Sequence, residues 1–127
     1  MSTFNDVIDA VRSDLGDIYS DDYAYSTRDM MRYAAQGVRE MWKLIPSLQY
    51  DPSTGKLYVA ADVVPINEYQ TAETIPVLET YIPALESYVM FRCLSRDVTD
   101  SGNAAAARAA RRRFYIEMGM IGNPENE

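Results

Sequence analysis

Between Thr27 and Ile45, apolar side chains recur every three or four residues and charged side chains fill most other positions. This spacing predicts an amphipathic helix with one face in a core. Ser26 and Asp29 predict its start, as a variant of the capping box, and Pro46 predicts its end. Its methionines form either an adaptable binding surface or core, and the neighbouring tryptophan favours core. The apolar stripe comprises Met30, Met31, Ala34, Val38, Met41, Trp42 and Ile45.

Three further helices are predicted. The first is capped by Thr3 and ends at Gly16. The third, at about residues 83–98, is apolar nearly all round, which is typical of a helix with neighbours on every side. The fourth follows a turn that ends at Asn103, its expected cap. Its inward stripe is expected to be Ala107, Ala110, Phe114 and Met118.

Residues 47–78 do not fit a helix. DPSTGK predicts a turn and LYVAADVV a short strand, while Pro65 and Pro76 argue against two good central strands. The segment is therefore predicted to be an extended, β-hairpin-like insert between the second and third helices. The fold class is mainly α: a small four-helix bundle that carries this insert.

The insert is rich in apolar, β-prone side chains that a four-helix core can hardly absorb in full. A two-stranded ribbon is marginal by itself in water, and strand addition between copies would satisfy its backbone groups. Deletion of residues 55–77 is then expected to leave a folded monomer that cannot assemble; a hairpin folded flat on its own domain is the alternative. The side chains concerned are Leu57, Tyr58, Val59, Val63, Val64, Ile66, Tyr69, Ile75 and Val77.

Length and composition narrow the class of protein. The 127 residues suit one domain, expected over residues 1–122, with 123–127 as a flexible tail. The net charge of −7 argues against a general nucleic-acid binder. Cys93, the single cysteine, excludes an internal disulfide and is expected in the core. No apolar run is long enough for a membrane span, and no signal peptide precedes the first helix, so we expect an intracellular protein that does not contact a membrane.

The residues needed for most enzyme chemistry are missing. The chain has no histidine, which removes the commonest general base and metal ligand. Phosphate-binding glycine motifs and a nucleophile elbow are absent as well. The acidic pair Asp21 and Asp22 lacks the spacing of a calcium loop. We therefore expect a non-enzyme, and the sequence identifies no catalytic, cofactor-binding or metal-binding residue.

The stretch AAAARAARRRF, residues 104–114, places four arginines near the end of an acidic chain. Their role is docking on an acidic protein surface, solvation of a helix face, or contact with DNA; the planar guanidinium fork favours docking. Arg113 points away from the other three. Arg92 and Arg96, one turn apart on the third helix, are expected at a subunit contact or bonded to neighbouring loops. Helical spacing gathers Arg108, Arg111, Arg112 and Tyr115 on one flank.

The order of these elements resembles the head-to-tail adaptor (connector) proteins of tailed bacteriophages, which are small helical proteins that form a ring beneath the portal. The likeness runs from about Asp6 to Met118. YSTRDMMRYAAQGVREMWKLIPSL is similar to the second helix of that family. IPALESYVMFRCLSRDVTDSGNAAAARAARRRFY is similar to its paired later helices, and an extended insert is expected between them.

The resemblance implies a structural protein of the virion neck, made in the host cytoplasm. Twelve copies would form a ring on the portal protein, with downstream neck or tail proteins attached below. Double-stranded DNA would pass through the channel without specific binding, because an acidic lining repels phosphate. The arginine flank and the insert would contact the portal or neighbouring copies. Candidates for the channel lining, with a solvated outer loop as the alternative, are Asp14, Asp17, Asp21 and Asp22.

A function from another class stays open. A small acidic protein can mimic DNA and occupy a nucleic-acid-binding enzyme, with carboxylates at roughly phosphate spacing. A generic helical regulatory module that binds another protein is a further alternative. The acidic residues of this chain cluster in loops instead of striping one helix, which favours the adaptor.

Overall fold

Helices account for most of the chain that the structure describes. The computed structural model covers residues 3–16, 25–51, 54–58, 75–77, 79–96 and 101–120. The α-helices are α1 (Phe4–Leu15), α2 (Thr27–Leu44), α3 (Ile82–Ser95) and α4 (Ser101–Glu117), and two 3₁₀ turns lie at Pro46–Gln49 and Glu79–Tyr81. The predicted mainly helical fold is confirmed. None of the helices in these ranges is long and apolar enough to cross a membrane.

Both ends of α1 lie where the sequence predicts them. The Thr3 hydroxyl accepts a hydrogen bond from the Asp6 amide at 3.3 Å, and the Asp6 carboxylate accepts one from the Thr3 amide at 2.9 Å. These reciprocal bonds form a complete capping box. Gly16 ends the helix in the left-handed conformation, at φ 72°, where a residue without Cβ is favoured.

The start of α2 also fastens it to α3. The Ser26 hydroxyl accepts a hydrogen bond from the Asp29 amide at 3.1 Å, as predicted for the cap. The Asp29 carboxylate accepts a bond from Arg96 Nη1 at 3.1 Å. At the other end Ile45, at φ −131° and ψ 88°, has left the helical region before Pro46, so α2 ends one residue earlier than predicted.

The core surrounds α3, which packs against α1, α2 and α4. This confirms the prediction that the most uniformly apolar helix is central. The methionine stripe of α2 lies in the core, and so does Cys93. The fully buried side chains include Val7, Ile8, Val11, Met30, Met31, Val38, Met41, Leu85, Val89 and Phe114.

A buried arginine joins α1 to the residues that precede α2. The Arg12 side chain is only 4% exposed. Its Nη1 donates to the backbone carbonyl of Tyr25 at 2.9 Å, and its Nη2 donates to the hydroxyl of Thr27 at 3.0 Å. Burial of a charge is tolerated where its donors are satisfied in this way. Arg12 therefore acts as a structural element and is not part of the exposed basic surface.

The fourth helix confirms its predicted inward stripe but not its predicted cap. Ala107, Ala110, Phe114 and Met118 are all buried. The helix begins at Ser101, so Asn103 lies inside the first turn instead of capping it. Serine and aspartate before Asn103 are also common at helix starts, and for that reason composition alone did not fix the position.

Only the two ends of the predicted insert fall within the described residues. An isolated antiparallel bridge joins Tyr50 to Leu57 around the predicted turn, and the Tyr58 amide donates to the Gln49 carbonyl at 2.7 Å. The ring of Tyr58 stacks on Trp42 with 6.2 Å between centroids. No longer strand occurs in the described ranges, so the β-hairpin stays a prediction. The stretches that lie outside the described ranges include the tail 123–127 and five of the apolar insert residues named from the sequence, Val59, Val63, Val64, Ile66 and Tyr69.

The C-terminal end of the insert corrects one prediction. Ile75 and Val77 were assigned to surface that the helices cannot absorb, yet they are 1% and 6% exposed and belong to the main core. These two side chains lie in the core because the chain leads directly into α3, whose first residue, Ile82, is itself buried. Because deletion of residues 55–77 removes both core side chains, we now expect it to destabilise the fold instead of leaving a folded monomer. Leu57, by contrast, is 43% exposed.

Gly37 marks a close approach between α2 and α3. A Cβ at this position would lie 2.6 Å from Leu85 Cδ1 and 2.8 Å from Tyr88 Cδ1. Because the leucine is fully buried, Gly37→Ala is expected to lower the free energy of unfolding by about 1–3 kcal/mol. Urea denaturation measures this loss. In the matched double variant with Leu85→Ala, the loss should be smaller than the sum of the two single changes; a stabilising effect of Gly37→Ala alone would contradict the close approach.

Candidate protein-binding surface

Charge is distributed very unevenly along the chain. All twelve lysines and arginines lie in the described ranges, together with nine of the nineteen acidic residues. These ranges therefore carry a net charge of +3, although the whole chain carries −7. The remaining segments hold ten acidic residues and no lysine or arginine. The helical body is basic, which the average composition conceals.

One flank of α4 is lined by arginines. Arg108, Arg111, Arg112 and Tyr115, here called the arginine flank, border a shallow cleft of about 450 Å³. The grouping agrees with the prediction from helical spacing. The Arg111 guanidinium lies over the rings of Phe91 and Tyr115, at 5.9 and 5.6 Å from their centroids. Within the described ranges no carboxylate forms a salt bridge with these arginines.

The opposite flank of α4 borders an acidic cleft of about 210 Å³. Asp14 of α1, Glu86 of α3 and Glu117 of α4 line it and define what we call the acidic cleft. Arg113 lines the same cleft, on the side of α4 away from the arginine flank, as predicted. The Ser87 hydroxyl donates to Glu117 at 2.6 Å. In the described part of the chain, no acidic cluster is arranged to hold a metal ion.

The pKa of Glu86 reflects the electrostatics of the acidic cleft. Burial raises the pKa of its carboxyl above the ordinary value, and the negative charges of Asp14 and Glu117 raise it further. An ionised Glu86 therefore costs folding free energy above its raised pKa. This cost disappears as the pH falls from that pKa towards the unfolded-state value. A cation supplied by another molecule would relieve the same cost at neutral pH.

A second basic region lies between α2 and α3. Gln36, Arg39, Glu40, Lys43, Tyr88 and Arg92 line a depression of about 430 Å³, here called the α2/α3 cleft. Arg92 was expected at a subunit contact or bonded to loops. It instead donates through Nη1 to the side-chain oxygens of Gln36 and Tyr88 and lies 4.9 Å from the centroid of the Tyr33 ring. Arg96 pairs with Asp29, at the N-terminal turn of α2.

Aromatic rings connect the two basic regions. Tyr88, beside Arg92, contacts Phe91 and Phe114 at centroid distances of 5.9 and 5.3 Å. Phe91 in turn lies below the Arg111 guanidinium. The α2/α3 cleft and the arginine flank are therefore bridged by half-buried aromatic surface, a combination that is enriched at protein interfaces.

The remaining candidates from the sequence are not brought together. Asp14 lines the acidic cleft, whereas Asp17, Asp21 and Asp22 lie outside the described residues. Leu57 is exposed, and Tyr58 is half-buried against Trp42. Neither residue lines the arginine flank.

Neither the acidic cleft nor the α2/α3 cleft was predicted from the sequence. The charged residues of α2 were placed correctly on the helix face away from the stripe, but their proximity to Tyr88 and Arg92 depends on tertiary packing. Glu86 and Glu117 are separated by a whole helix and a turn, so no local spacing could pair them. The one available signal was Arg92, in the last turn of the apolar third helix, because a charged side chain there needs polar partners.

Comparisons of this chain with protein-family models, with curated proteins and with solved structures gave no match. Its function therefore has to be inferred from the surfaces described above and from the order of its sequence elements.

Proposed function

We propose that this protein is a structural head-to-tail adaptor of a tailed-phage virion. Copies of it would form a ring below the portal, join capsid to tail and let double-stranded DNA pass. The observation that carries the proposal is the opposite charge on the two flanks of α4: the arginine flank lacks a carboxylate partner in the described ranges, and the acidic cleft holds three carboxylates and one arginine. Two different complementary surfaces on one subunit allow head-to-tail contacts, which close into a ring when the rotation permits.

The energetics of such a contact favour arginine. A guanidinium that pairs with a carboxylate in a partly buried site makes hydrogen bonds worth about 1.5–3 kcal/mol each. Arg111 is already oriented by Phe91 and Tyr115, which reduces the entropy lost on binding. A neighbour's arginine beside Glu86 would also bring the raised pKa of that carboxyl back towards its ordinary value. A single contact that rests on a few such hydrogen bonds is weak, so the isolated protein should be monomeric or weakly associated.

The other assembly roles follow from the resemblance and the charge distribution. The portal protein and downstream neck or tail proteins would bind on either side of a ring of twelve. Strand addition by the β-hairpin-like insert between neighbours would begin near the exposed Leu57. Because the helical body is basic, a DNA-repelling channel lining has to come mainly from the acidic segments between helices, including Asp17, Asp21 and Asp22.

The alternative of a DNA mimic receives less support from this distribution. A mimic needs one acidic face at phosphate spacing. Here α2 and α4 present several exposed arginines, and the three carboxylates of the acidic cleft lie in a narrow depression. A helical regulatory module would bind one enzyme in a stoichiometric complex, whereas the adaptor should join a large ring complex with portal protein. Analytical ultracentrifugation with and without portal distinguishes the two.

Charge reversal of the arginine flank tests the proposal. The variant Arg111→Glu, Arg112→Glu, with or without Arg108→Glu, is expected to lose assembly onto portal rings, because glutamates would face carboxylates. The fraction bound to portal is measured by sedimentation and by electron microscopy of negatively stained rings. A matched control, Arg28→Glu with Arg32→Glu, makes the same charge change on the exposed face of α2 and should assemble normally.

A compensating change sharpens this test. In the presence of portal, mixing the Arg111→Glu, Arg112→Glu variant with Asp14→Arg, Glu86→Arg subunits should restore the assembly that neither variant shows alone. Unchanged assembly of the arginine variant would remove the interface role of the flank. Failure of the mixture to associate would remove the acidic cleft as its partner.

A further inference from the structure

We infer that the α2/α3 cleft binds a carboxylate side chain presented by an acidic segment of a second copy of this chain. The inference rests on the proposed function only in its choice of a second copy. It concerns a contact distinct from the arginine flank, and it assigns a role to Arg39, Lys43 and Arg92, which the pairing of the two α4 flanks leaves unused.

The guanidinium of Arg92 is pre-oriented by its neighbours for binding such a carboxylate. Its Nη1 donates to Gln36 and to the Tyr88 hydroxyl, and its guanidinium lies between the Tyr33 and Tyr88 rings, 4.9 and 5.9 Å from their centroids. Among the described residues its Nε and Nη2 have no acceptor. A planar fork that is fixed on one side and open on the other is suited to bidentate binding of a carboxylate.

Arg39 supplies a second, independent indication. Its Nε is buried and has no hydrogen-bond partner in the described ranges. Buried donors are normally paired, and an orphaned one is costly to folding. An acceptor that enters the cleft satisfies this donor once the half-buried Arg39 side chain turns towards it. Arg39 and Arg92 therefore both have guanidinium N–H donors without an acceptor among the described residues.

The net positive charge of the α2/α3 cleft also favours binding of an anion. Three cations line it against one carboxylate, Glu40, which lies 3.9 Å from Lys43. Lys43 is 79% exposed at the side chain, whereas Arg39 and Arg92 are half-buried. One incoming carboxylate would compensate the two recessed guanidinium groups while Glu40 and Lys43 remain at the rim.

A polypeptide fits this geometry better than a nucleic acid. Duplex binding relies on rows of exposed cations that follow the phosphate backbone. Here two of the three cations that line the cleft are half-buried, so they do not form such an exposed row. An aspartate or glutamate on its short aliphatic stem can enter a depression of about 430 Å³ beside Tyr88.

A second copy offers the complementary charge. Outside the described ranges the chain carries ten acidic residues and no lysine or arginine. Each copy therefore carries, in its sequence, both a basic helical body and stretches that contain acidic residues and no cation. This complementarity selects a second copy as the occupant over an unrelated acidic partner.

Carbodiimide cross-linking tests the contact directly, because it joins an amine to a carboxylate only where the two touch. The chain has two lysines, Lys43 at the rim of the cleft and Lys56 elsewhere, and the second serves as internal control. Equal amounts of ¹⁴N-labelled and ¹⁵N-labelled protein are mixed at high concentration without portal. Mass spectrometry then distinguishes links between copies from links within one copy.

We expect a mixed-isotope link from Lys43 to an acidic residue outside the helices, and no comparable link from Lys56. In Arg39→Gln, Arg92→Gln, which keeps Lys43, its yield should fall about tenfold, since one charge-assisted hydrogen bond is worth roughly that factor in an equilibrium constant. Arg39→Gln alone serves if the double variant unfolds. The control Arg28→Gln, Arg32→Gln should keep the link.

Three outcomes would overturn the inference. They are a Lys43 link found only within one copy, a mixed-isotope link that survives the loss of Arg39, and displacement of the link by a short DNA duplex but not by a glutamate-rich peptide. Each leaves the portal-assembly result of the arginine-flank variants unaffected. Conversely, loss of portal assembly in those variants would leave the Lys43 link in place.

Discussion

A variant that lacks residues 55–77 is expected to lose at least about 4 kcal/mol of unfolding free energy, because truncation of one buried isoleucine costs about 2–5 kcal/mol and Val77 adds to this loss. Ile75 and Val77 belong to the main core, and Tyr58 covers one face of Trp42. The deletion removes all three. Such a loss is a large part of the stability of a small domain, so the variant should be largely unfolded.

A substitution of equal length separates folding from assembly. Replacement of residues 60–73 by glycine and serine keeps the chain length, the stacked Tyr58 and the buried Ile75. The free energy of unfolding should then fall by less than in the deletion variant, because the buried Ile75 and Val77 are retained. Circular dichroism in urea measures both variants. If strand addition by the insert contributes to the ring, the substituted protein should remain folded yet fail to assemble on portal; a stable 55–77 deletion would contradict the core role of Ile75.

The elements that the sequence predicted well are those with a local cause. The stripe of α2, the Thr3 cap and the inward residues of α4 depend on spacing and on neighbours a few positions away. The grouping of Arg111 with Tyr115 and the separate direction of Arg113 follow from the same periodicity. A helical wheel drawn for one helix at a time is enough to predict these positions.

The features that the sequence did not predict depend on which helices meet. The raised pKa of Glu86 comes first from its burial and then from the carboxylates of Asp14 in α1 and Glu117 in α4, and all three causes depend on tertiary packing. The unpaired Nε of Arg39 could not be predicted either, because Arg39 lies at the cleft between α2 and α3, which only tertiary packing creates. Ile75 and Val77 were misplaced because β-prone residues on either side of a proline fit a strand and a core-entering loop equally well, and only the buried start of α3 distinguishes the two.

Phe114→Ala is expected to have the largest effect of any single substitution on the position of the arginine flank. Phe114 is 1% exposed and meets the rings of Tyr88 and Tyr115 at 5.3 and 5.2 Å. Truncation of a buried phenylalanine costs about 3–5 kcal/mol, from lost burial and from the cavity left behind. Since α4 packs principally on α3, much of this loss should appear as local opening of α4 before global unfolding.

Hydrogen exchange distinguishes that local opening from general destabilisation. In Phe114→Ala the amides of α4 should exchange much faster than those of α2, and portal binding should weaken because the arginines are no longer held at a fixed spacing. Phe91→Ala, at a half-buried ring, is the matched control for stability alone, since Phe91 also orients Arg111, and it should cost less than Phe114→Ala. If both variants lost equal stability, or if α4 kept its protection without Phe114, the arginine flank would owe its position to some other contact. Full protection of α4 with weakened portal binding would mean that the ring of Phe114 itself, and not the order of the helix, matters for assembly.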